Sequence, residues 1–248
     1  MKVFEDNYSN FYDLFYSNKN YKKEANDFIE KFKSNPTEIL ELGCGTGNYS
    51  KIFLDKGIKV FGVELSASML SIAKKKFDSN FFGIHSDIEN FQINRKFNHC
   101  LSLFHVISYL TDSKKVLNTF QNINDHLNPE GEFVFDCWHT AGVYSGGLET
   151  RVKSFEDNRF IVKRISIPKM NLSSNTVDVC FDYFITNKST GTITNQKENH
   201  LMRHFSILEI EELAKKSGFY LRHVEESFTK GKYPSESSFC ISVVLKKN

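Results

Sequence analysis

Short apolar runs and stretches of helical spacing take turns along the first 136 residues. The runs fall at 39–42, 58–63, 81–85, 97–103 and 132–136, lengths that suit strands rather than helices. Between them, apolar residues recur at helical spacing: Tyr49, Ile52 and Phe53, then Met69, Leu70, Ile72 and Ala73 behind a capping Ser66. A further helix is predicted over 114–126, opened by Asp112 or Ser113 and ended by Asn128-Pro129-Glu130-Gly131. Ahead of the first strand, Tyr8, Tyr12 and Tyr16 stand at i, i+4 and i+8, one face of a helix. A second helix is expected over 22–32, stopped by Asn35-Pro36. Beyond about Tyr144 the period shortens to two. Segments 151–155, 159–167, 176–186 and 192–203 alternate β-branched and aromatic residues with polar ones, and Asn187-Lys188-Ser189-Thr190-Gly191 marks a hairpin. A helix over 206–216, closed by Gly218, and strands at 220–228 and 239–245 complete the pattern. The chain therefore reads as an α/β fold in four parts: an N-terminal helical lid (1–34), an α/β core (35–143), an antiparallel β insertion after the fifth strand (144–205), and the C-terminal part of the core (206–248).

Composition narrows the classes. A length of 248 residues suits one sizeable domain with an insertion, and 40% hydrophobic with 25% charged residues is ordinary for a soluble chain. A net charge of +2 gives no general attraction to nucleic acid or to an anionic membrane. The longest apolar runs, such as 239–245, are too short to span a bilayer. Glu5 and Asp6 stand where a secretory leader would carry its apolar stretch, so none is expected. Cys44, Cys100, Cys137, Cys180 and Cys240 are odd in number and far apart, which argues against a disulfide framework or a zinc knuckle and makes a reducing cytoplasm the default setting.

The chemistry concentrates at Ile39-Leu40-Glu41-Leu42-Gly43-Cys44-Gly45-Thr46-Gly47-Asn48. Glycine belongs where the backbone takes positive φ or must approach a ligand, and the following helix offers unpaired N–H groups at its start. The strand–turn–helix is a cradle for a nucleotide-like ligand. A phosphate loop needs Lys and Ser/Thr after its last glycine, where this chain has Asn48-Tyr49. The strict dinucleotide fingerprint needs a third Gly or Ala where this chain has Asn48, although a degenerate form stays open. The third reading is S-adenosylmethionine. Glu41-Leu42-Gly43-Cys44-Gly45-Thr46-Gly47-Asn48 resembles the first motif of the class I S-adenosylmethionine-dependent methyltransferases, and Gly62-Val63-Glu64-Leu65-Ser66 with Met69, Leu70 and Ala73 matches that family again. The resemblance implies a Rossmann-like, doubly wound, seven-stranded sheet whose last strand is antiparallel. Glu64, 21 residues after Gly43, is placed to accept hydrogen bonds from ribose hydroxyls. Carried over from the family, Asp87 meets the adenine amino group and the backbone of Ile88 lies near the ring. The same resemblance makes Tyr12, Glu41, Gly43, Cys44, Gly45, Gly47, Leu65, Met69 and Leu103 cofactor residues.

The acceptor side follows the carboxyl ends of the strands, where ligands bind in open α/β sheets. Phe104, His105 and Tyr109 fall there, with His105 and Tyr109 as catalytic candidates and Trp138 where an acceptor would approach. The Asn/Asp-Pro-Pro-aromatic motif of methyltransferases acting on DNA amino groups is missing here, which argues against nucleic acid as acceptor. Tyr12-Asp13, Lys19-Asn20-Tyr21 and Glu24-Ala25, together with Glu198-Asn199-His200-Leu201-Met202-Arg203-His204-Phe205, resemble the branch that N-methylates nucleotide-linked amino sugars and small amines. That resemblance makes Tyr8, Tyr16, His200 and Arg203 substrate contacts. His204 joins them, and Arg203 is suited to a phosphate because its planar fork binds in two places; a salt-bridged Arg203 is the alternative. His200 and His204 lie on a predicted strand without a third ligand, so no metal is expected. A hydroxyl acceptor needs a stronger base than an amine, and no Lys/His/Asp constellation serves one convincingly. The function read from the sequence is methyl transfer to the amine of a nucleotide-linked sugar or similar small molecule, with S-adenosylhomocysteine as product. The alternatives are an O-methyltransferase of a small phosphorylated metabolite in surface-polysaccharide biosynthesis, and a nicotinamide-dependent oxidoreductase. The insertion has two open uses, a cover over the site or a homodimer interface.

Overall fold

A computed structural model describes residues 6–77, 79–146 and 148–248, the side chains of 6–10 excepted. Two short helices come first, α1 (Asp6–Phe15) and α2 (Tyr21–Ile29). The second is capped by Asn20, whose side chain accepts from the Lys23 N–H. It begins one residue before the expected span and ends before Phe32. Then follow β1 (Glu38–Leu42), α3 (Asn48–Asp55), β2 (Lys59–Glu64), α4 (Ala67–Lys76), β3 (Phe81–His85), β4 (Phe97–Ser102), a 3₁₀ turn (Val106–Tyr109), α5 (Ser113–Asp125) and β5 (Leu127–His139). Ser66 and Asp112 accept hydrogen bonds from Met69 N–H and Lys115 N–H, so both capping expectations hold.

Strand β5 is longer than the apolar run 132–136 indicated. Trp138 and His139 belong to it because it runs past the end of β4 and finds partners elsewhere. Its edge pairs antiparallel with β11 (Cys240–Lys247), and its tip pairs in parallel with the end of β9 (Ile193–Phe205) through Trp138–His204 and His139–Phe205. A short helix not anticipated from the pattern, α6 (Thr140–Ser145), turns the chain away. There Gly142 is required, since a Cβ on it would lie 2.2 Å from the Ser238 carbonyl oxygen. The insertion is a meander of β6 (Arg151–Glu156), β7 (Phe160–Asn171), β8 (Thr176–Asn187) and β9, each pair antiparallel. Helix α7 (Ile207–Lys216) and β10 (Phe219–Glu226) lead to β11, which is antiparallel to both β10 and β5. The core sheet thus runs β3-β2-β1-β4-β5-β11-β10, the doubly wound arrangement expected.

Both faces of that sheet are covered, so its strands are apolar on both sides. Phe133 and Phe135 point to a cluster shared with α5 and α7, while Val134 between them points to the cluster built on α2, α3 and α4; Val243, Val244 and Leu245 divide in the same way. A third cluster joins α1 to the insertion. Phe11 meets Phe160 edge-on at 5.1 Å, and Phe15 stacks on Tyr183 at 4.8 Å. No helix among the described residues is long and apolar enough to cross a membrane.

Candidate active site

A cleft of about 1770 Å³ opens above the carboxyl ends of β1, β2, β4 and β5, roofed by α1 and by one face of the insertion. Single-ligand pockets span roughly 300–1,000 Å³, so the volume suits two molecules side by side.

At one end lies the glycine loop. Gly43, Gly45 and Gly47 take φ of 71°, 56° and 83°. A Cβ on Gly43 would sit 2.5 Å from Val106, so this position needs glycine for space as well as for conformation. The loop is fastened to β2: Gly43 N–H donates to the Val63 carbonyl at 2.8 Å. Glu64 draws it together, accepting from Gly45 N–H at 2.8 Å and from Ser66 N–H at 2.7 Å. Burial pushes its carboxyl above the ordinary value despite those bonds. Leu65, Met69, Asp87, Ile88 and Leu103 also line the cleft. Leu65 is 64% exposed, an apolar side chain beside a buried acid. Asp87 accepts from Glu89 N–H at 3.0 Å, which fixes its carboxylate toward the cleft floor.

Helix α1 is latched over this loop by Asp13. Thr46 Oγ1 and Asn48 Nδ2 donate to its Oδ1 at 2.6 and 2.9 Å, and Lys76 pairs with Oδ2 at 2.7 Å. Burial alone would raise the Asp13 carboxyl, but the Lys76, Thr46 and Asn48 bonds hold it below its ordinary value. A lowered carboxyl contributes closure above its ordinary pKa and loses it only as the pH falls through the lowered one. The latch therefore persists through the neutral and mildly acidic range. Replacing Asp13 by Ala is expected to speed amide exchange in α1 about 3- to 10-fold, with α5 unchanged; the modest size reflects the partial exposure of both partners. Equal exchange in both proteins would show that the aromatic packing alone holds the helix.

The tyrosine face divides its tasks. Phe11 and Phe15 pack on the insertion, whereas Tyr12 and Tyr16 line the cleft, with rings 4.9 Å apart. Tyr16 meets Phe104 edge-on at 4.9 Å. The side chain of Tyr8 lies outside the described residues.

At the other end, Phe104 and His105 both take left-handed backbone, with φ of 66° and 61°. Non-glycine residues hold this conformation only when their surroundings impose it. Asp136, on β5 just past the end of β4, does so: its Oδ1 accepts from His105 N–H at 3.1 Å and its Oδ2 pairs with His105 Nδ1 at 2.8 Å. His105 Nε2 lies 3.7 Å from Cys240 Sγ. Burial lowers the imidazole's proton affinity, yet Cys240 and Asp136 outweigh it and hold His105 well above its ordinary pKa. His105 lines the cleft beside these partners.

Tyr109 has different partners. Its hydroxyl lies 2.7 Å from His200 Nδ1, and His200 Nε2 lies 3.3 Å from Glu198 Oε2. Burial, with Tyr16 and Glu198 nearby, raises the phenol well above its ordinary value, so Tyr109 stays neutral. Trp138 lines the same region, with Phe239 5.0 Å from it.

Four expected site residues lie away from the cleft. Glu41 is 2% exposed and accepts from Ser50 Oγ on α3; it ties β1 to that helix beneath the loop. Gly47 caps α3 with left-handed backbone and packs against Phe77 and Ala73. Arg203 pairs with Glu209 and donates to Ser113 Oγ at 3.1 Å, clamping β9 to the starts of α5 and α7. His200 and Arg203 are three apart, and on a strand such residues face opposite sides. His204 is wholly buried against Thr140 and Tyr144. The reading missed Arg164, Ser166 and Pro168 on β7, Val179 and Phe181 on β8, and Met202 on β9, all lining the cleft. Their alternate spacing was the available signal. Asp136, 31 residues from His105, left none. No cluster of three metal-ligating side chains occurs among the described residues.

Residues 39–131, which carry the glycine loop, Glu64, Asp87 and His105, match the family described as methyltransferase domain. The chain is 25% identical over 228 residues to the dTDP-3-amino-3,4,6-trideoxy-alpha-D-glucopyranose N,N-dimethyltransferase of Streptomyces venezuelae, an alignment covering 90% of this chain and 94% of that one. Among solved structures, an S-adenosylmethionine-dependent methyltransferase from Clostridium acetobutylicum superposes with a TM-score of 0.81 at 24% identity, covering 98% of both chains. The sugar N-methyltransferase KedS8 from Streptoalloteichus superposes at 0.80 with 19% identity, covering 98% of this chain and 96% of that one. At such identities the structural likeness speaks for the fold.

Proposed function

We propose that the chain is an S-adenosylmethionine-dependent methyltransferase acting on the amino nitrogen of a small polar acceptor, a sugar carried on a nucleotide. The glycine loop fits the donor: Gly45, at positive φ, faces open space that a Cβ would enter, Glu64 presents a buried carboxylate for ribose hydroxyls, and exposed Leu65 with Ile88 offers apolar faces to an adenine whose amino group reaches Asp87. When bound, the donor supplies a methyl group on a positively charged sulfur. The protein's own part is to place the acceptor, exclude water and remove a proton. Helix α1 and the inner face of the insertion act as the covers, with Tyr12 and Tyr16 over the cleft.

The observation that gives an ammonium acceptor its proton route is the buried chain Tyr109–His200–Glu198. An amine attacks through a free lone pair, so an ammonium acceptor must first lose a proton. Tyr109 can pass that proton to His200 Nδ1 while receiving the acceptor's, and Glu198 steadies the imidazolium formed. The nearby His105 is paired with Asp136 instead. The Streptomyces venezuelae relative supports the same class of acceptor, since the protein so similar along its length is named for the amino group of a dTDP-linked sugar.

Mass spectrometry of an acceptor panel tests this. Purified protein with S-adenosylmethionine is expected to add one or two methyl masses to nucleotide-linked amino sugars and none to their hydroxyl counterparts. Methyl gain on the hydroxyl compounds alone would replace the amine reading with O-methylation.

A further inference from the structure

Arg164 is 6% exposed, lines the cleft, and has no carboxylate partner among the described residues. A buried charge is costly unless it is paired and hydrogen-bonded. Its guanidinium lies 5.0 Å from the Phe181 ring centroid, 5.3 Å from Phe155 and 5.7 Å from Tyr16. Those rings attract the flat faces of the cation. The N–H donors, however, lie in the guanidinium plane and need acceptors there. Among the described residues they have one hydrogen-bond contact, a long one of 3.5 Å from Nη1 to the Tyr16 hydroxyl, and Nε has none. The arginine is therefore built in, fixed by aromatic packing, with its hydrogen-bonding edge unmet beside the cleft.

Its neighbours extend the same chemistry. In the β6–β7 ladder Lys153 stands opposite Arg164 and Arg151 opposite Ser166. Side chains so paired share a face about 5 Å apart, and all four line the cleft. The cleft also receives Glu149, from the segment before β6. We propose that Arg164 anchors an oxyanion subsite, taking a pair of carboxylate or phosphate oxygens of a ligand through its planar fork, with Arg151 and Lys153 as outlying cations. Two sources carry that chemistry, the amino-acid end of the methyl donor and a phosphate on the acceptor. The inference goes beyond the amine reading, because it holds whichever acceptor group is methylated.

Calorimetric binding of three probes separates the outcomes. S-adenosylhomocysteine carries a carboxylate, 5′-methylthioadenosine has the same nucleoside without it, and inorganic pyrophosphate carries phosphate alone. Arg164→Met, similar in length and apolar, is expected to weaken one oxyanion probe roughly 10- to 100-fold while leaving 5′-methylthioadenosine within about twofold. Loss confined to S-adenosylhomocysteine assigns the subsite to the donor; loss confined to pyrophosphate assigns it to the acceptor. Arg164→Lys, which keeps the charge and the stem but not the fork, is expected to recover only part. Unchanged affinity for all three probes in either folded variant overturns the proposal. So does a wild-type protein that binds no pyrophosphate and holds S-adenosylhomocysteine no more tightly than 5′-methylthioadenosine, a result that needs no variant. Failure here with amino sugars still methylated would leave the amine reading intact, and a positive result with an inactive amino-sugar panel would do the reverse.

Discussion

Replacing Glu64 by Gln is expected to raise the dissociation constant for S-adenosylhomocysteine about 100-fold while leaving thermal stability within a few degrees. The two effects separate for one physical reason. Glu64 is 6% exposed, and burial holds its carboxyl above the ordinary value even though Gly45 and Ser66 both donate backbone hydrogen bonds to it. A raised carboxyl costs folded-state stability at neutral pH, since the charged form is disfavoured in place; removing the charge relieves that cost. The charge is valuable only to a ligand that donates to it. Hydrogen bonds to charged groups contribute about 1.5–3 kcal/mol each, and 100-fold is about 2.7 kcal/mol. Gln also turns an amide N–H toward one of the two backbone donors, which loosens the loop. The pH dependence follows the same sign: affinity in the wild type declines on acidification sooner than an ordinary glutamate would impose, and the variant loses that dependence. Titration calorimetry at several pH values with melting curves provides the check. A variant that loses stability and affinity in parallel would make Glu64 a loop brace alone.

The second large effect concerns Glu41 and appears in stability. Its carboxyl is pushed up to about 8, first by burial and secondarily by the nearby Glu64 charge, with the Ser50 bond opposing. In the unfolded chain it titrates near 4.5. Between those values the folded protein holds a proton that the unfolded chain has released, so stability falls as pH rises from about 4.5 to about 8 and the full cost remains above. A shift of this size corresponds to roughly 3–5 kcal/mol. Glu41→Gln keeps an oxygen for Ser50 and carries no charge at any pH. Urea unfolding at pH 5, 7 and 9 is expected to show near-equal stability at pH 5 and a variant more stable by roughly 3–5 kcal/mol at pH 9. Parallel curves would mean that water or a shift of α3 solvates the carboxylate.

These two acids show where the sequence is informative. Both flank the glycine motif, and both were read as cofactor residues. Glu41 lies inside a strand covered on both faces, and its side chain falls on the helix side; Glu64 ends its strand, where the next residue opens into the cleft. Likewise His200 was expected at the site and lines the cleft, yet Arg203 in the same run faces α5 and α7, because a strand alternates sides. The arginine that does line the cleft, Arg164, sits on another strand and carries no local sign beyond that alternation. His105 lines the cleft as expected from its place after β4, and its charge state depends on Asp136 and Cys240, 31 and 135 residues away.

The sequence by itself determined the order of strands and helices, the caps at Ser66 and Asp112, the glycine cradle and the acid that faces it. Each of these follows from spacing or backbone demand within a few residues, which neighbouring side chains suffice to express. Tertiary structure alone decided which of two buried acids reaches the cleft, which histidine pairs with Asp136, and which arginine has no carboxylate partner among the described residues. Burial and pairing depend on how the elements pack, and β5, meeting both β11 and β9 beyond the end of β4, is the strand that joins the core to the insertion.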